Sequence, residues 1–264
     1  MNLDKMIAVR NNKTVYRDGD RCLKVFCEGT SKADVLNEAL NQARAEEAGL
    51  HVPAVWEVTA VDGRPTLVTA FIKGKTLAQH MQEEPERRRE HLEMLVQLQQ
   101  QVHACSCPTL QRLKDTLNVR ICRSDLPATV RFDLHSKLEA MPRHGKLCHG
   151  DLVPTNVLVA EDGTPYLLDW AHAAQGNASA DAAHTYLRFC MDGDEECAQE
   201  YLEIFCRISG ISPAYVSRWI PIVAAAESTS GSEERRAFLK TRANAVDGGV
   251  SFVSQEQYKE EELL

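Results

Sequence analysis

The residues best suited to chemistry lie in one stretch. It reads Leu147-Cys148-His149-Gly150-Asp151-Leu152-Val153-Pro154-Thr155-Asn156-Val157-Leu158-Val159, then Glu161-Asp162-Gly163-Thr164, then Tyr166-Leu167-Leu168-Asp169-Trp170. Two short apolar runs flank Asp162-Gly163, a dipeptide that favours a tight turn, so the segment predicts a β-hairpin. Asn156 stands just before the first strand and Asp169 just after the second, and a hairpin brings those two ends together. A carboxylate and an amide oxygen meeting at a strand edge are hard-oxygen donors suited to magnesium. Asp151 precedes Asn156 by five residues in a loop stiffened by Pro154. It can sit beside such a metal without ligating it. Each of these residues alone reads as an ordinary polar position; the joint spacing is the signal, and it is the layout of a phosphoryl-transfer site.

The elements that must position these groups follow from periodicity. Before the motif, Ile7–Arg10, Thr14–Tyr16 and Cys22–Phe26 read as strands, with turns at Asn11-Asn12-Lys13 and at Asp18-Gly19-Asp20. Alternation in the third strand sends Cys22, Lys24 and Phe26 to one face and Leu23 and Val25 to the other. Residues Asp34–Glu47 carry apolar side chains at helical spacing and end near Gly49. Pro53–Val61 and Pro65–Ile72 read as two more strands joined at Asp62-Gly63. Beyond Gly74 the pattern turns helical, over Glu86–His103, Leu110–Leu138 with a break at Pro127, Ala180–Cys206 and Ala214–Ala243. Asp192–Glu196 reads as a solvated turn, and the acidic tail from Gln255 to Leu264 is expected to fray.

The run His149-Gly150-Asp151, with Asn156 five places after the aspartate and Leu168-Asp169-Trp170 beyond the hairpin, resembles the aminoglycoside phosphotransferase and choline kinase family. That family shares the protein-kinase-like fold. The resemblance is most specific over residues 147–183 and extends in weaker form from Thr14 to Ala226. It implies an α+β architecture: a small N-terminal lobe over residues 1–72, with a five-stranded antiparallel sheet plus one helix that binds nucleotide, and a larger, mostly helical C-terminal lobe over 73–264 that binds the acceptor. It implies a kinase that uses ATP and Mg2+ to phosphorylate a hydroxyl of a small molecule, such as an aminoglycoside, amino alcohol or sugar. Carried over residue by residue, Asp151 is the catalytic base, and Asn156 and Asp169 hold magnesium. Lys24 grips the α- and β-phosphates with Glu38 as its partner; Glu46 and Glu47 are competitors for that partnership, but they lie near a helix C-terminus, where acids are disfavoured. Ala70–Ile72 matches the hinge whose backbone meets adenine. Asp181 braces the catalytic loop, and His149 is expected to be a buried imidazole that holds it.

The chain also departs from the pattern. It has no glycine-rich phosphate loop, so the turn Arg10–Lys13 would have to cover the nucleotide. Gly150 stands where protein kinases carry an arginine that reads a phosphorylated activation segment, which implies no such switch. Only eleven residues separate Asp169 from Asp181. Val153 replaces a basic or imidazole side chain two residues after the base, leaving Lys24 and magnesium to balance the phosphates.

Bulk properties narrow the field further. The 264 residues are enough for two lobes, and a net charge of -8 argues against a nucleic-acid partner. No apolar run is long enough to span a bilayer, and the charged N-terminus lacks a signal core, so a cytoplasmic protein is expected. Nine cysteines without paired Cys-x-x-Cys knuckles read as reduced, mostly buried thiols. Two other readings compete with a small-molecule kinase. One is an atypical protein kinase, and the other is a catalytically silent nucleotide-binding regulatory module. The acceptor and the oligomeric state are not legible in the sequence.

Overall fold

The structure, a computed structural model, describes residues 5–10 and 12–245. Asn11 of the first turn and the acidic tail lie outside the described residues. Five antiparallel strands form the first sheet: β1 (Lys5–Val9), β2 (Lys13–Asp18), β3 (Arg21–Phe26), β4 (Val55–Val61) and β5 (Arg64–Ala70), in the order β1-β2-β3-β5-β4. The β4–β5 turn places both Asp62 and Gly63 at positive φ, 50° and 74°, the conformation whose twist matches a two-residue hairpin. Alternation in β3 divides its side chains as the period of two requires. Leu23 and Val25 pack with Val68 and Tyr16, while Phe26 packs with Val35, Ala39 and Leu67. Lys24 shares the Phe26 face and so points toward the helix α1 (Lys32–Glu47). Ser31 caps α1, its Oγ accepting from the Ala33 amide at 3.1 Å.

The chain divides into two compact units. The first runs up to Leu113 and includes Arg143–Asp181, so it contains both the sheet and the motif hairpin. After β5 it continues through β6 (Gly74–Thr76), α2 (Leu77–Glu83) and α3 (Arg88–Ala104). The second unit holds α4 (Leu113–Arg123, from Lys114) and α5 (Ala128–Ala140). The chain then returns to the first unit for β7 (Lys146–Cys148), β8 (Val157–Ala160), β9 (Pro165–Leu167) and β10 (Ala174–Gly176). Most of α6 (Ala178–Met191), then α7 (Glu195–Ser209), α8 (Pro213–Ser217), α9 (Ile220–Glu227) and α10 (Glu233–Asn244), complete the second unit. Its core is apolar and aromatic, with Trp219, Tyr201 and Phe205 fully buried.

The helical stretches read from periodicity are more divided than expected. The break expected at Pro127 is present, with Pro127 preceding the first turn of α5. Ala180–Cys206 breaks into α6 and α7 at Asp192–Asp194, where Gly193 takes φ 81° and the Asp194 carboxylate caps α7 through the Cys197 amide at 2.9 Å. The short pieces β6, α2, β7 and β10 were not anticipated. Three-residue strands such as β7 and β10 have no periodicity to read; they exist because they pair with each other across 26 residues or more of chain.

Candidate active site

The motif forms the expected hairpin. β8 pairs antiparallel with β9, Val157 opposite Leu167, and Gly163 takes φ 86° in the turn. One bond beyond the ladder, the Leu168 amide donates to the Asn156 carbonyl at 2.9 Å, so the two outer ends meet. Asp169 then adopts a left-handed backbone, φ 68° and ψ 68°, a conformation that costs an ordinary residue about 1–2 kcal/mol and marks a site where geometry is imposed. The turn that follows is held from below. Trp170 is completely buried, and its carbonyl accepts from Asn41 of α1 at 3.1 Å.

The Asp169 carboxylate is one of a cluster of four charges. In the β2–β3 register Val15 opposes Lys24 and Lys13 opposes Phe26, so both lysines are on the α1 face of the sheet. Lys24 Nζ bonds Glu38 Oε1 at 2.8 Å. Glu46 and Glu47, the competing acids near the C-terminus of α1, are exposed and play no part. Lys13 Nζ bonds both carboxylate oxygens of Asp169 at 2.9 Å and lies 3.5 Å from Glu38 Oε2. Two ammoniums and two carboxylates thus alternate; Lys13, Lys24 and Glu38 are buried, where unpaired charge would cost several kcal/mol, while the Asp169 side chain keeps 27% exposure. Burial alone would push the Asp169 carboxyl upward, but the charges of Lys24 and Lys13 outweigh it and hold the group well below the usual carboxylate range. Burial likewise opposes the charge on Lys24, and Glu38 and Asp169 more than restore it, so its ammonium is held more firmly than an exposed lysine's.

The segment His149–Asp151 is braced on its other side. Asp181 is fully enclosed; its Oδ1 accepts from the Gly150 amide at 2.7 Å, and its Oδ2 accepts from the His149 amide at 3.2 Å and contacts His103 Nε2 at 2.9 Å. Burial works against ionisation there, but His103, His149 and the Gly150 amide win, lowering the carboxyl to about 2. His149 is wholly buried, 4.5 Å from the Trp170 ring centroid. Its Nε2 donates to the Leu168 carbonyl at 3.0 Å and its Nδ1 accepts from the Asp151 amide at 3.3 Å, the tautomer that satisfies both partners. Burial keeps this imidazole neutral by lowering its pKa. Gly150 takes φ 80°, and a Cβ there would lie 2.5 Å from the His172 carbonyl oxygen. No arginine, nor any other side chain, fits at that position without moving the loop.

These braces deliver Asp151 and Asn156 together. The Asn156 amide nitrogen donates to the Asp151 carbonyl at 2.8 Å and to Asp151 Oδ2 at 3.1 Å. That fixes the side chain with its oxygen turned away from Asp151. The donor set fits a hard divalent ion, being one carboxylate and one amide oxygen. The Asp169 carboxylate already holds a cation in this structure, the Lys13 ammonium.

Ala70 and Ile72 lie at the end of β5 and just beyond it. The Ala70 amide is bonded to the Ala54 carbonyl at 2.9 Å and the Phe71 amide to the Asp20 carbonyl at 2.8 Å. Two further residues in the site escape sequence reasoning. His103 comes from α3, and only the fold brings it to Asp181. Lys13, the first residue of β2, reads in the sequence as part of the turn that would cover the nucleotide, and nothing local distinguishes it from a solvated turn lysine.

A sequence profile described as the Phosphotransferase enzyme family matches residues 8–216. No curated protein matches the chain in sequence. Several solved structures match in fold. An aminoglycoside-3'-phosphotransferase of type VIII superimposes with a TM-score of 0.61 at 21% identity, over 89% of this chain and 91% of its own. The choline kinase LicA from Streptococcus pneumoniae gives 0.65 at 15% identity over 92% of each chain. A thermostable mutant of aminoglycoside phosphotransferase APH(4)-Ia, solved with AMP-PNP and hygromycin B, gives 0.67 at 15% identity over 94% of each. At such identities the neighbours establish the protein-kinase-like fold. The profile spans most of the length and covers the sheet, the braced loop and the hairpin, so this chain belongs to the phosphotransferase enzyme family.

Proposed function

We propose that the protein is an ATP- and magnesium-dependent kinase that transfers the γ-phosphoryl group to a hydroxyl of a small molecule. The observation that carries this reading is that Lys24–Glu38, Asp169, Asn156 and Asp151 fall within one compact unit, Lys24 held by Glu38, Asp169 by Lys13, and Asn156 by Asp151. Magnesium, when bound, supplies charge neutralisation at the phosphate oxygens. Asn156 and Asp169 are its ligands in this reading. Lys24, held in line by Glu38, binds the α- and β-phosphates. The stretch Ala70–Ile72 takes the adenine edge; with the Ala70 and Phe71 amides already bonded inside the protein, the Ile72 amide is the donor left to offer. Asp151 accepts the proton of the acceptor hydroxyl, and the Asn156 amide keeps its carboxylate oriented. The acceleration comes mainly from positioning and electrostatics, as in phosphoryl transfer generally.

In this scheme residues up to Ile72 form the nucleotide lobe, and the acceptor is bound beyond it. The neighbours named above phosphorylate or bind aminoglycosides and choline according to their descriptions, and the net charge of -8 suits a cationic acceptor of that kind. A protein substrate is disfavoured by the short path from Asp169 to Asp181. It is filled by the turn Trp170–His172, β10 and the start of α6, with no extended segment on which a peptide could lie. The test is a screen for ADP release and phosphate transfer with Mg-ATP. Its panel holds aminoglycosides, amino alcohols, hydroxyamino acids and sugars, with a peptide array run alongside. Transfer to a small hydroxyl that is lost in D151N supports the reading. Nucleotide binding with no transfer to any acceptor would point to a silent module, and transfer confined to peptides would replace it with a protein kinase.

A further inference from the structure

Lys13 has no role in the scheme above, yet the site holds it closely. Its Nζ bonds both oxygens of Asp169 at 2.9 Å, lies 3.5 Å from Glu38, and stands 5.4 Å from the Phe26 ring centroid, with the residue 5% exposed. The loop from Asp151 to Asn156 contains no basic residue. Positive charge at this site therefore comes from the sheet, from Lys24 and Lys13. The two lysines differ in what holds them. Lys24 is paired at 2.8 Å with Glu38, a helix acid that also lies 3.5 Å from Lys13 and has no place among the proposed metal ligands. Lys13 is paired with Asp169, the carboxylate that the proposed function assigns to a metal.

An ammonium and a divalent ion repel each other at one carboxylate, so Lys13 cannot keep both oxygens once a metal is bound. Its backbone is fixed at the start of β2, where its carbonyl accepts from the Arg10 amide at 2.8 Å. Its side chain is a flexible four-carbon stem with three rotatable donors. It can swing while its strand stays in place.

Resting on that functional reading, we propose that Lys13 is a second phosphate-binding residue: it neutralises Asp169 while the site is empty of nucleotide, and turns to the terminal phosphates of a nucleoside triphosphate when a metal takes that carboxylate. Two effects of opposite sign follow. Without nucleotide, Lys13 is a tethered competitor of the metal. With nucleotide, it is a ligand of the polyphosphate and supplies the charge that the catalytic loop lacks.

The test measures binding, not turnover. Mn2+ alone is titrated into wild type, K13M, K13Q and K13R, and Mg-ATP and AMP affinities are measured on the same proteins, with a thermal melt of each. The loss of one hydrogen bond to a charged group corresponds to about ten- to hundredfold in affinity. K13M and K13Q should bind Mn2+ alone more tightly by about that factor and Mg-ATP more weakly by about that factor, with AMP unchanged. K13R should recover Mg-ATP binding. A purely structural lysine would instead weaken metal, ATP and AMP together, and that outcome overturns the proposal, as does unchanged Mg-ATP affinity in both neutral variants. Absence of Mg-ATP binding in wild type would remove the kinase reading itself, and this proposal with it. Binding in wild type that survives in K13M and K13Q removes only the role given to Lys13.

Discussion

Replacing Asp181 by asparagine tests the brace under the His149–Asp151 loop through a quantity that can be worked out in advance. The carboxylate receives the Gly150 and His149 amides and the His103 ring nitrogen. Asparagine offers one acceptor oxygen and turns an NH2 toward the remaining donors. At least one buried amide is left unpaired, at a cost of about 1–3 kcal/mol. A second contribution depends on pH. The carboxyl titrates at about 2 in the folded protein against an ordinary value of 3.8, a difference of about two units, or roughly 2–3 kcal/mol at 1.36 kcal/mol per unit. Because the folded value lies below the unfolded one, this stabilisation is complete above about pH 5 and is lost as pH falls toward 2. Urea denaturation of wild type and D181N should therefore differ by about 3–6 kcal/mol at pH 7, and by roughly 1 kcal/mol less at pH 3. Other carboxylates titrate in the same range but cancel in the difference between the two proteins. A gap that stays constant from pH 7 to pH 3 would refute the claim that ionised Asp181 holds the loop.

Other variants probe neighbouring parts of the site. G150A places a Cβ against the His172 carbonyl at an unfavourable φ and should destabilise the protein by at least about 2 kcal/mol in denaturant; a variant as stable as wild type would contradict the loop geometry. D151N should lower phosphoryl transfer by about 10²- to 10⁴-fold while changing Mg-ATP affinity less than about tenfold, and a parallel collapse of both would make Asp151 a ligand instead of a base. D169A should weaken metal-dependent nucleotide binding more than N156A, because a carboxylate brings a full charge and an amide only a dipole. Equal metal titrations for the two variants would go against the assignment.

The site was legible where chemistry and local periodicity coincide. Asn156 and Asp169 bracket a hairpin whose turn and apolar runs are adjacent in sequence, so their meeting follows from local rules alone. Lys24 could be placed on the helix-facing side of β3 by alternation. Its pairing with Glu38 over Glu46 or Glu47 agrees with the electrostatics of a helix C-terminus. Lys13 and His103 were not legible in these roles, because each depends on contacts more than 75 residues away, with Asp169 and Asp181. The short strands β6, β7 and β10 failed for a related reason: strand propensity over three residues is negligible beside the pairing partner that creates them.

The path of the chain between the sheet and the hairpin has a mechanical consequence. Phe71 is tied by its amide to the β2–β3 turn at Asp20, and Lys73 is tied by its carbonyl to the Glu161 amide at the tip of the hairpin. From Gly74 onward the chain runs in register with β8, so closely that a Cβ at Gly74 would overlap the Val159 carbonyl. Ile72 lies between these two anchor points. The hairpin is tied back elsewhere as well, the Leu167 amide donating to the His51 carbonyl at 2.8 Å and Lys13 of β2 holding Asp169. A purine edge held by the Ile72 backbone would therefore rest on a stretch of chain moored at both ends, its place set by the sheet and the hairpin together.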